Sequence, residues 1–184
     1  MPKHLKKLSE EVVHENPWFS YKHDTYETPG GGVGNYYYSE SRGMVKIIPF
    51  FPDGRLVLTL QHRYLQDKQS IEFPAGGIDE GETPAESASR ELREETGCEA
   101  EELTKVATFE PSNGMDKNEA HVFIARIVDV PGEQTTEQTE DIEVLYRRPD
   151  ELEDMIARGD IWDGPTIAAW MLARKKILSL VTHE

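Results

Sequence analysis

Three glutamates that fall on one face of a predicted helix are the residues of this chain best suited to chemistry. Glu91, Glu94 and Glu95 are spaced i, i+3 and i+4, so at about 100° per residue they share one arc of roughly 100°. Like charges this close destabilise a helix unless a cation lies among them. Carboxylate oxygens suit Mg²⁺, which also bridges substrate phosphates. The alternative interpretation is a solvated acidic face on a surface helix.

The helix that carries these glutamates has well-marked ends. Thr83, Pro84 and Glu86 form a capping-box pattern, with proline at the first helical position, where its missing N–H costs nothing. Gly97 follows the last helical residue and provides the stop signal. We therefore expect a helix over residues 83–96.

Other segments of the chain predict the elements that must position this helix. Two aromatic-rich segments, residues 18–27 and 35–39, flank a Gly-rich stretch and predict a β-hairpin. Further apolar runs predict strands at about 44–51, 55–61, 103–109, 119–128 and 142–147, and helices at about 149–158 and 165–180. This mixture predicts an α/β sandwich with a mixed β-sheet.

Composition limits the classes of function. The formal net charge of −15 repels nucleic acid and anionic lipid, and no strong basic cluster offsets it. No stretch approaches the roughly 20 apolar residues of a membrane-spanning helix. A single cysteine, Cys98, excludes an internal disulfide. We expect a cytoplasmic protein without nucleic acid or membrane partners.

Residues 76–98 resemble the signature box of the Nudix hydrolase superfamily. The segment places Gly76, then Glu82, then the run Arg90-Glu91-Leu92-Arg93-Glu94-Glu95-Thr96-Gly97 at the spacing of that box. Cys98 stands where the family usually has an aliphatic residue, and its small apolar side chain is expected to preserve the packing. Outside the box, residues 71–77 and 113–125 are similar to the group of ADP-ribose pyrophosphatases and nucleoside diphosphate sugar hydrolases.

The resemblance implies an activity and a metal site. It implies hydrolysis of the pyrophosphate of a nucleoside diphosphate sugar, such as ADP-ribose or GDP-mannose, with Mg²⁺ as cofactor and Mn²⁺ as a substitute. The metal ligands implied are the backbone carbonyl of Ala75 and the side chains of Glu91, Glu94 and Glu95. Arg90 is expected to pair with a box glutamate and orient it. Glu140 is the expected general base, with Glu137 and Asp141 as rivals, and Glu94 and Glu95 complete the catalytic set.

Five further residues are expected to bind substrate. The resemblance places Arg63 near the substrate phosphates, and the similar segments outside the box add Glu72 and Met115. Tyr26 and Trp18 could stack on the nucleobase. The alternatives are a surface or dimer salt bridge for Arg63 and a core or interface position for the two aromatic residues.

The resemblance also implies the overall organisation. We expect a Nudix α/β/α sandwich with a mixed sheet in residues 44–184, preceded by an N-terminal β-hairpin region, residues 1–43, that joins two copies into a homodimer. Two other functions stay open. One is a Nudix hydrolase of nucleoside triphosphates or dinucleoside polyphosphates, and the other is a non-hydrolytic nucleotide-binding Nudix-like module.

Overall fold

The computed structural model describes residues 4–136 and 141–181. Eleven strands and three α-helices are present in these residues. The strands are β1 (Lys6–Glu15), β2 (Ser20–Glu27), β3 (Val33–Glu40), β4 (Met44–Phe50), β5 (Leu56–Arg63), β6 (Lys68–Glu72), β7 (Ala75–Gly77), β8 (Glu102–Phe109), β9 (Asp116–Lys117), β10 (Ala120–Arg126) and β11 (Glu143–Arg147). The helices are α1 (Pro84–Thr96), α2 (Pro149–Arg158) and α3 (Gly164–Val181).

The larger sheet is built around the apolar strand β4. Its strand order is β11-β5-β4-β10-β8, with β6 paired to β5 and β7 paired to β4. Strands β10 and β4 run parallel, and the other pairs are antiparallel. The sheet is therefore mixed, as predicted. Because β7 pairs with β4, the middle strand of this order, it lies at the centre of the sheet.

Helices cover both faces of this sheet. Alternating side chains of β4 serve two apolar clusters: Val45 and Ile47 pack with Leu92 of α1, whereas Ile48 packs with Trp170 of α3. The second cluster also takes residues of α2. The α/β/α sandwich predicted for this part of the chain is confirmed.

A smaller sheet contains the predicted aromatic hairpin. Strands β2 and β3 pair antiparallel, which confirms the hairpin, while β1 pairs with β2 and the short β9 pairs in parallel with β3. The order is β1-β2-β3-β9, so β1 is an edge strand. All ten residues of β1 are exposed. The sheet is thus wider than the predicted hairpin by two strands.

The two sheets belong to different compact units of the chain. One unit takes the residues through Gly43 together with Glu110–Glu119, and the other takes Met44–Phe109 and the residues from Ala120 onward. None of the helices in the described ranges has both the length and the apolar character that a membrane crossing requires.

Candidate active site

Local signals fix both ends of α1. The Thr83 side chain accepts a hydrogen bond from the Glu86 N–H at 3.3 Å, and the Glu86 carboxylate accepts one from the Thr83 N–H at 2.7 Å. At the other end Gly97 takes a left-handed conformation with φ 69°. A Cβ on Gly97 would overlap the Gly132 carbonyl oxygen, so glycine is required there both by its conformation and by this close approach. The predicted capping box and helix stop are confirmed.

Arg90 gathers the carboxylates of the helix. Its guanidinium donates to Glu82 at 3.1 Å, to Glu91 at 2.6 Å and to Glu94 at 3.2 Å, and also to the Gly77 carbonyl at 3.2 Å. These bonds from Arg90 hold the pKa of the Glu82 carboxyl below its usual value. Hydrogen bonding to Glu82 in turn raises the pKa of Arg90. Arg90 therefore orients the box glutamates, the role that the resemblance implied.

Strand β7 lies against the other side of these carboxylates. The Ala75 N–H donates to the buried Glu95 carboxylate at 3.0 Å. A Cβ built on Gly76 would overlap the Glu91 carboxylate, so only glycine leaves the space that this carboxylate occupies. Three of the four predicted metal ligands, Ala75, Glu91 and Glu95, are thus adjacent, and the fourth, Glu94, shares Arg90 with Glu91.

These residues suit a divalent cation by their charge and by their oxygen donors. Four carboxylates, those of Asp79, Glu82, Glu91 and Glu94, lie within 3.5 Å of one guanidinium, so negative charge exceeds positive charge. The Glu91 carboxylate occupies the space that a side chain at position 76 would fill. In the described ranges no three acidic, His or Cys side chains converge as metal ligands do, because the box carboxylates are directed toward Arg90 and the Ala75 N–H.

Arg63 and Glu72, both predicted to bind substrate, bind each other. The Nε and Nη2 atoms of Arg63 each donate to one Glu72 oxygen at 2.7 Å, a bidentate pair. Burial of Glu72 would raise the pKa of its carboxyl, but the bonds from Arg63 and the charge of Lys46 outweigh this and hold the pKa at about 2. The charge of Glu95 contributes to raising the Arg63 pKa, so Arg63 lies within electrostatic reach of the carboxylate helix.

Sequence analysis missed two charged residues that complete this group. Lys46 is 1% exposed, and its ammonium lies 3.2 Å from Glu72 and 3.2 Å from Asp163. Asp163 also accepts from the Thr166 N–H at 2.8 Å at the start of α3. A lysine inside the apolar strand β4 was the available signal, because lysine is almost never fully buried unless it is paired.

The other predicted substrate contacts lie in the smaller unit. Trp18 is 79% exposed in the turn between β1 and β2, where its backbone N–H donates to the Asn16 side-chain oxygen at 2.9 Å. Tyr26 packs against Gly34, where a Cβ would approach its ring to 2.6 Å. Met115 is 70% exposed and lines a cavity of about 580 Å³ with Tyr36 and others. Tyr26 is half-buried by its own sheet, whereas Trp18 and Met115 are open to a ligand.

The predicted general base falls outside the described residues. Glu140 and its rival Glu137 both belong to residues 137–140, which the structure does not describe. The other rival, Asp141, is exposed and lies two residues before the start of β11. The identity of the base therefore stays a prediction.

Comparisons with known proteins agree with this architecture. A family model described as the NUDIX domain matches residues 41–170, and one described as the nucleoside diphosphate sugar hydrolase N-terminal domain matches residues 5–39. An ADP-ribose pyrophosphatase of Bacillus subtilis is 29% identical over 171 residues, covering 90% of this chain and 92% of that protein.

A mouse protein and a solved structure are also similar to this chain. The ADP-sugar pyrophosphatase of Mus musculus is 34% identical over 125 residues, covering 62% of this chain and 55% of that protein. A crystal structure of an ADP compounds hydrolase superposes with a TM-score of 0.82 at 21% identity, covering 96% of each chain. That likeness concerns the fold.

Proposed function

The chain belongs to the Nudix hydrolase family, and from this premise we propose that it hydrolyses the pyrophosphate bond of a nucleoside diphosphate sugar such as ADP-ribose or GDP-mannose. Water attacks one phosphorus, the bridging P–O bond breaks, and a nucleoside monophosphate and a sugar phosphate leave. The observation that carries the proposal is the box helix, on which Glu95 accepts from the Ala75 N–H of β7 and Glu91 and Glu94 share the Arg90 guanidinium. The match of residues 5–39 to a nucleoside diphosphate sugar hydrolase domain supports the substrate class.

The metal in this proposal is Mg²⁺, with Mn²⁺ as a substitute. The Ala75 carbonyl and the carboxylates of Glu91, Glu94 and Glu95 would hold it, since hard cations prefer oxygen ligands. When bound, a divalent cation neutralises phosphate charge and makes bound water a stronger nucleophile. The protein has a net charge of −15, so this neutralisation is also what admits an anionic substrate.

Arg63 is the proposed phosphate-binding cation of the protein itself. Its side chain is 42% exposed although two of its nitrogens are fixed on Glu72. A guanidinium held in this way is oriented in advance, so less conformational entropy is lost when a phosphate binds. Glu72 accordingly acts on the substrate through Arg63.

Glu140 is the proposed general base that accepts the proton of the attacking water. In sequence it lies three residues before β11, which begins at Glu143 and pairs with β5 in the larger sheet. Glu140→Gln is expected to lower kcat about 100-fold while leaving KM within about threefold, as loss of a base does. Glu137→Gln and Asp141→Asn are the matched controls. A full rate for Glu140→Gln, with a loss in either control, would move the assignment to that control residue.

The smaller sheet is proposed to join two copies of the chain and to supply the nucleobase contacts. Strand β1 is an exposed edge, and apolar side chains such as Leu8, Val12 and Phe19 are exposed on this unit, which is typical of an interface. Sedimentation velocity should give a mass of two chains, and Val12→Glu should shift it toward one.

Trp18 is the proposed stacking residue, and Trp18→Ala should raise KM several-fold.

A substrate panel tests the activity. Product release would be measured for ADP-ribose, GDP-mannose, ADP-glucose, dinucleoside polyphosphates and nucleoside triphosphates, each with Mg²⁺, with Mn²⁺ and with chelator. Metal-dependent cleavage of the sugar compounds is the expected result. Cleavage of triphosphates or dinucleoside polyphosphates alone would replace the substrate class, and binding without any cleavage would indicate a nucleotide-binding module.

A further inference from the structure

Lys46 connects four parts of the larger unit that are distant in sequence. Its ammonium donates to Glu72 at 3.2 Å and to the Phe73 carbonyl at 3.2 Å, and it lies 3.2 Å from Asp163. Strand β4, the end of β6, the segment leading to β7 and the start of α3 thus share one buried cation. Two hydrogen bonds and one ion pair therefore hold the ammonium.

Lys46 and Arg63 divide one carboxylate between them. The Oε2 atom of Glu72 accepts from Lys46 at 3.2 Å and from Arg63 at 2.7 Å, and Oε1 accepts from Arg63 at 2.7 Å. The Glu72 and Lys46 side chains are each 2% exposed, whereas Arg63 is 42% exposed. The group therefore has a buried end fixed by Lys46 and an open end that presents the guanidinium.

The far side of Lys46 is fixed as well. Asp163 accepts from the Thr166 N–H at 2.8 Å, and the Thr166 hydroxyl accepts from the Phe73 N–H at 3.1 Å. Asp163 is thus stabilised by the start of α3, where the helix dipole favours negative charge. Lys46 is held between this fixed carboxylate and Glu72, so it cannot move without breaking bonds on both sides.

We propose that Lys46 is a positioning residue that sets the orientation of Arg63 through Glu72. The inference rests on the proposed function, in which Arg63 binds the substrate phosphates. Lys46 anchors the Glu72 carboxylate and neutralises part of its charge, so Arg63 keeps part of its positive charge for the phosphates. Without Lys46, the carboxylates of Glu72 and Asp163 face the single positive charge of Arg63, and Glu72 is free to turn. The guanidinium then loses both its position and its attraction for phosphate.

A double-mutant cycle with Arg63 tests this pathway. Lys46→Met keeps the length and apolar stem of the side chain but removes the charge, and it should raise KM for ADP-ribose about tenfold with kcat within about threefold. In an Arg63→Met background the same change should alter KM by less than about twofold, because the residue through which Lys46 acts is gone. An equal rise in both backgrounds overturns the proposal.

A second pair of variants separates positioning from folding. Lys46→Met leaves Asp163 buried without its cation, so Lys46→Met/Asp163→Asn removes both charges, and the new amide oxygen can still accept from the Thr166 N–H. Part of the KM defect should persist in this variant even where Tm returns to that of the parent protein, because the charge balance is restored but Glu72 still lacks its anchor. Arg174→Met is the control: it breaks the Arg174–Glu153 pair of α3 and α2 and should leave KM unchanged. Recovery of KM together with Tm would show a purely structural role.

An assay without substrate keeps the two proposals separable. The Arg63 Nε–H, bonded to Glu72 in the parent protein, should give a ¹⁵N NMR signal with slow solvent exchange, assigned by its loss in Arg63→Lys. In Lys46→Met/Asp163→Asn that exchange should become at least about tenfold faster, because Glu72 is no longer anchored. An unchanged signal overturns the positioning role. A protein that shows the NMR effect but cleaves no nucleoside diphosphate sugar contradicts the proposed function alone.

Discussion

Replacing Gly76 by alanine should remove most of the activity while leaving the fold intact. A Cβ at this position would overlap the Oε1 and Cδ atoms of Glu91 and lie 2.6 Å from Oε2, where ordinary contact begins at 3.4 Å. The Glu91 carboxylate must therefore move by about an ångström, and a misplacement of that size costs about 100-fold in rate. The obstructed atoms are the end of a flexible side chain, so the cost in stability is small, about 1 kcal/mol, the lower end of the usual cost of overpacking.

The next glycine in the chain supplies the control. A Cβ on Gly77 would meet nothing within 4 Å, and neither Gly76 nor Gly77 has a positive φ. Steady-state cleavage of ADP-ribose across a Mg²⁺ titration, together with thermal unfolding, would be measured for Gly76→Ala and Gly77→Ala. We expect kcat/KM to fall about 100-fold only for Gly76→Ala, with both Tm values near that of the parent protein. A folded Gly76→Ala protein with more than about one-third of the parent rate would refute the reasoning.

Three other changes test the site and its supports. Arg90→Gln should lower Tm in chelator, because the carboxylates lose their shared cation, and saturating Mg²⁺ should restore part of the loss; an equal Tm with and without metal would contradict this. Glu72 has a pKa of about 2 in the folded protein against an ordinary 4.5, so its ionised form stabilises the protein above pH 4.5 and this contribution is lost as the pH falls toward 2. In urea unfolding, the free energy of unfolding of Glu72→Gln should therefore decline less over that pH range than that of the parent protein. In urea unfolding, Gly97→Ala should destabilise the protein by about 2 kcal/mol or more, since both the positive φ and the Gly132 carbonyl oppose a side chain there. The control Gly159→Ala, with φ 80° and open space, should cost only about 1 kcal/mol. Equal costs for the two variants would exclude the carbonyl clash.

The parts of the fold that the sequence predicts are those encoded by local signals. The capping residues Thr83 and Glu86 act within one turn of helix, and the glutamate spacing follows from helical geometry, so α1 and its charged face could be deduced from adjacent residues. The apolar runs that became β4 and β10 are equally local. The order of the strands is not encoded locally, and it is the resemblance that implied the Nudix sandwich.

What the sequence could not show depends on long-range contacts. Lys46 meets Asp163 across more than a hundred intervening residues, and no local pattern relates them. Strand β1, Lys6–Glu15, is exposed throughout and lacks the apolar alternation that marks a half-buried strand. The pairing of Arg63 with Glu72 was also missed, since both were assigned to substrate separately. The homodimer, the cytoplasmic location and the identity of the metal stay predictions.

The short strand β9 makes the smaller unit discontinuous in the gene. Asp116 pairs with Ser39 and Lys117 with Glu40, and both side-chain pairs form hydrogen bonds. In sequence these partners are separated by residues Met44–Phe109, which belong to the larger unit. The chain therefore enters this unit, leaves it and returns before finishing elsewhere. Removal of the residues up to Gly43 would therefore not delete the whole smaller unit. It would leave β9 in the chain without β3, the strand that it pairs with. Any recombination between relatives that exchanged this unit would have to transfer residues 110–119 together with the N-terminal segment, because the sheet takes strands from both segments.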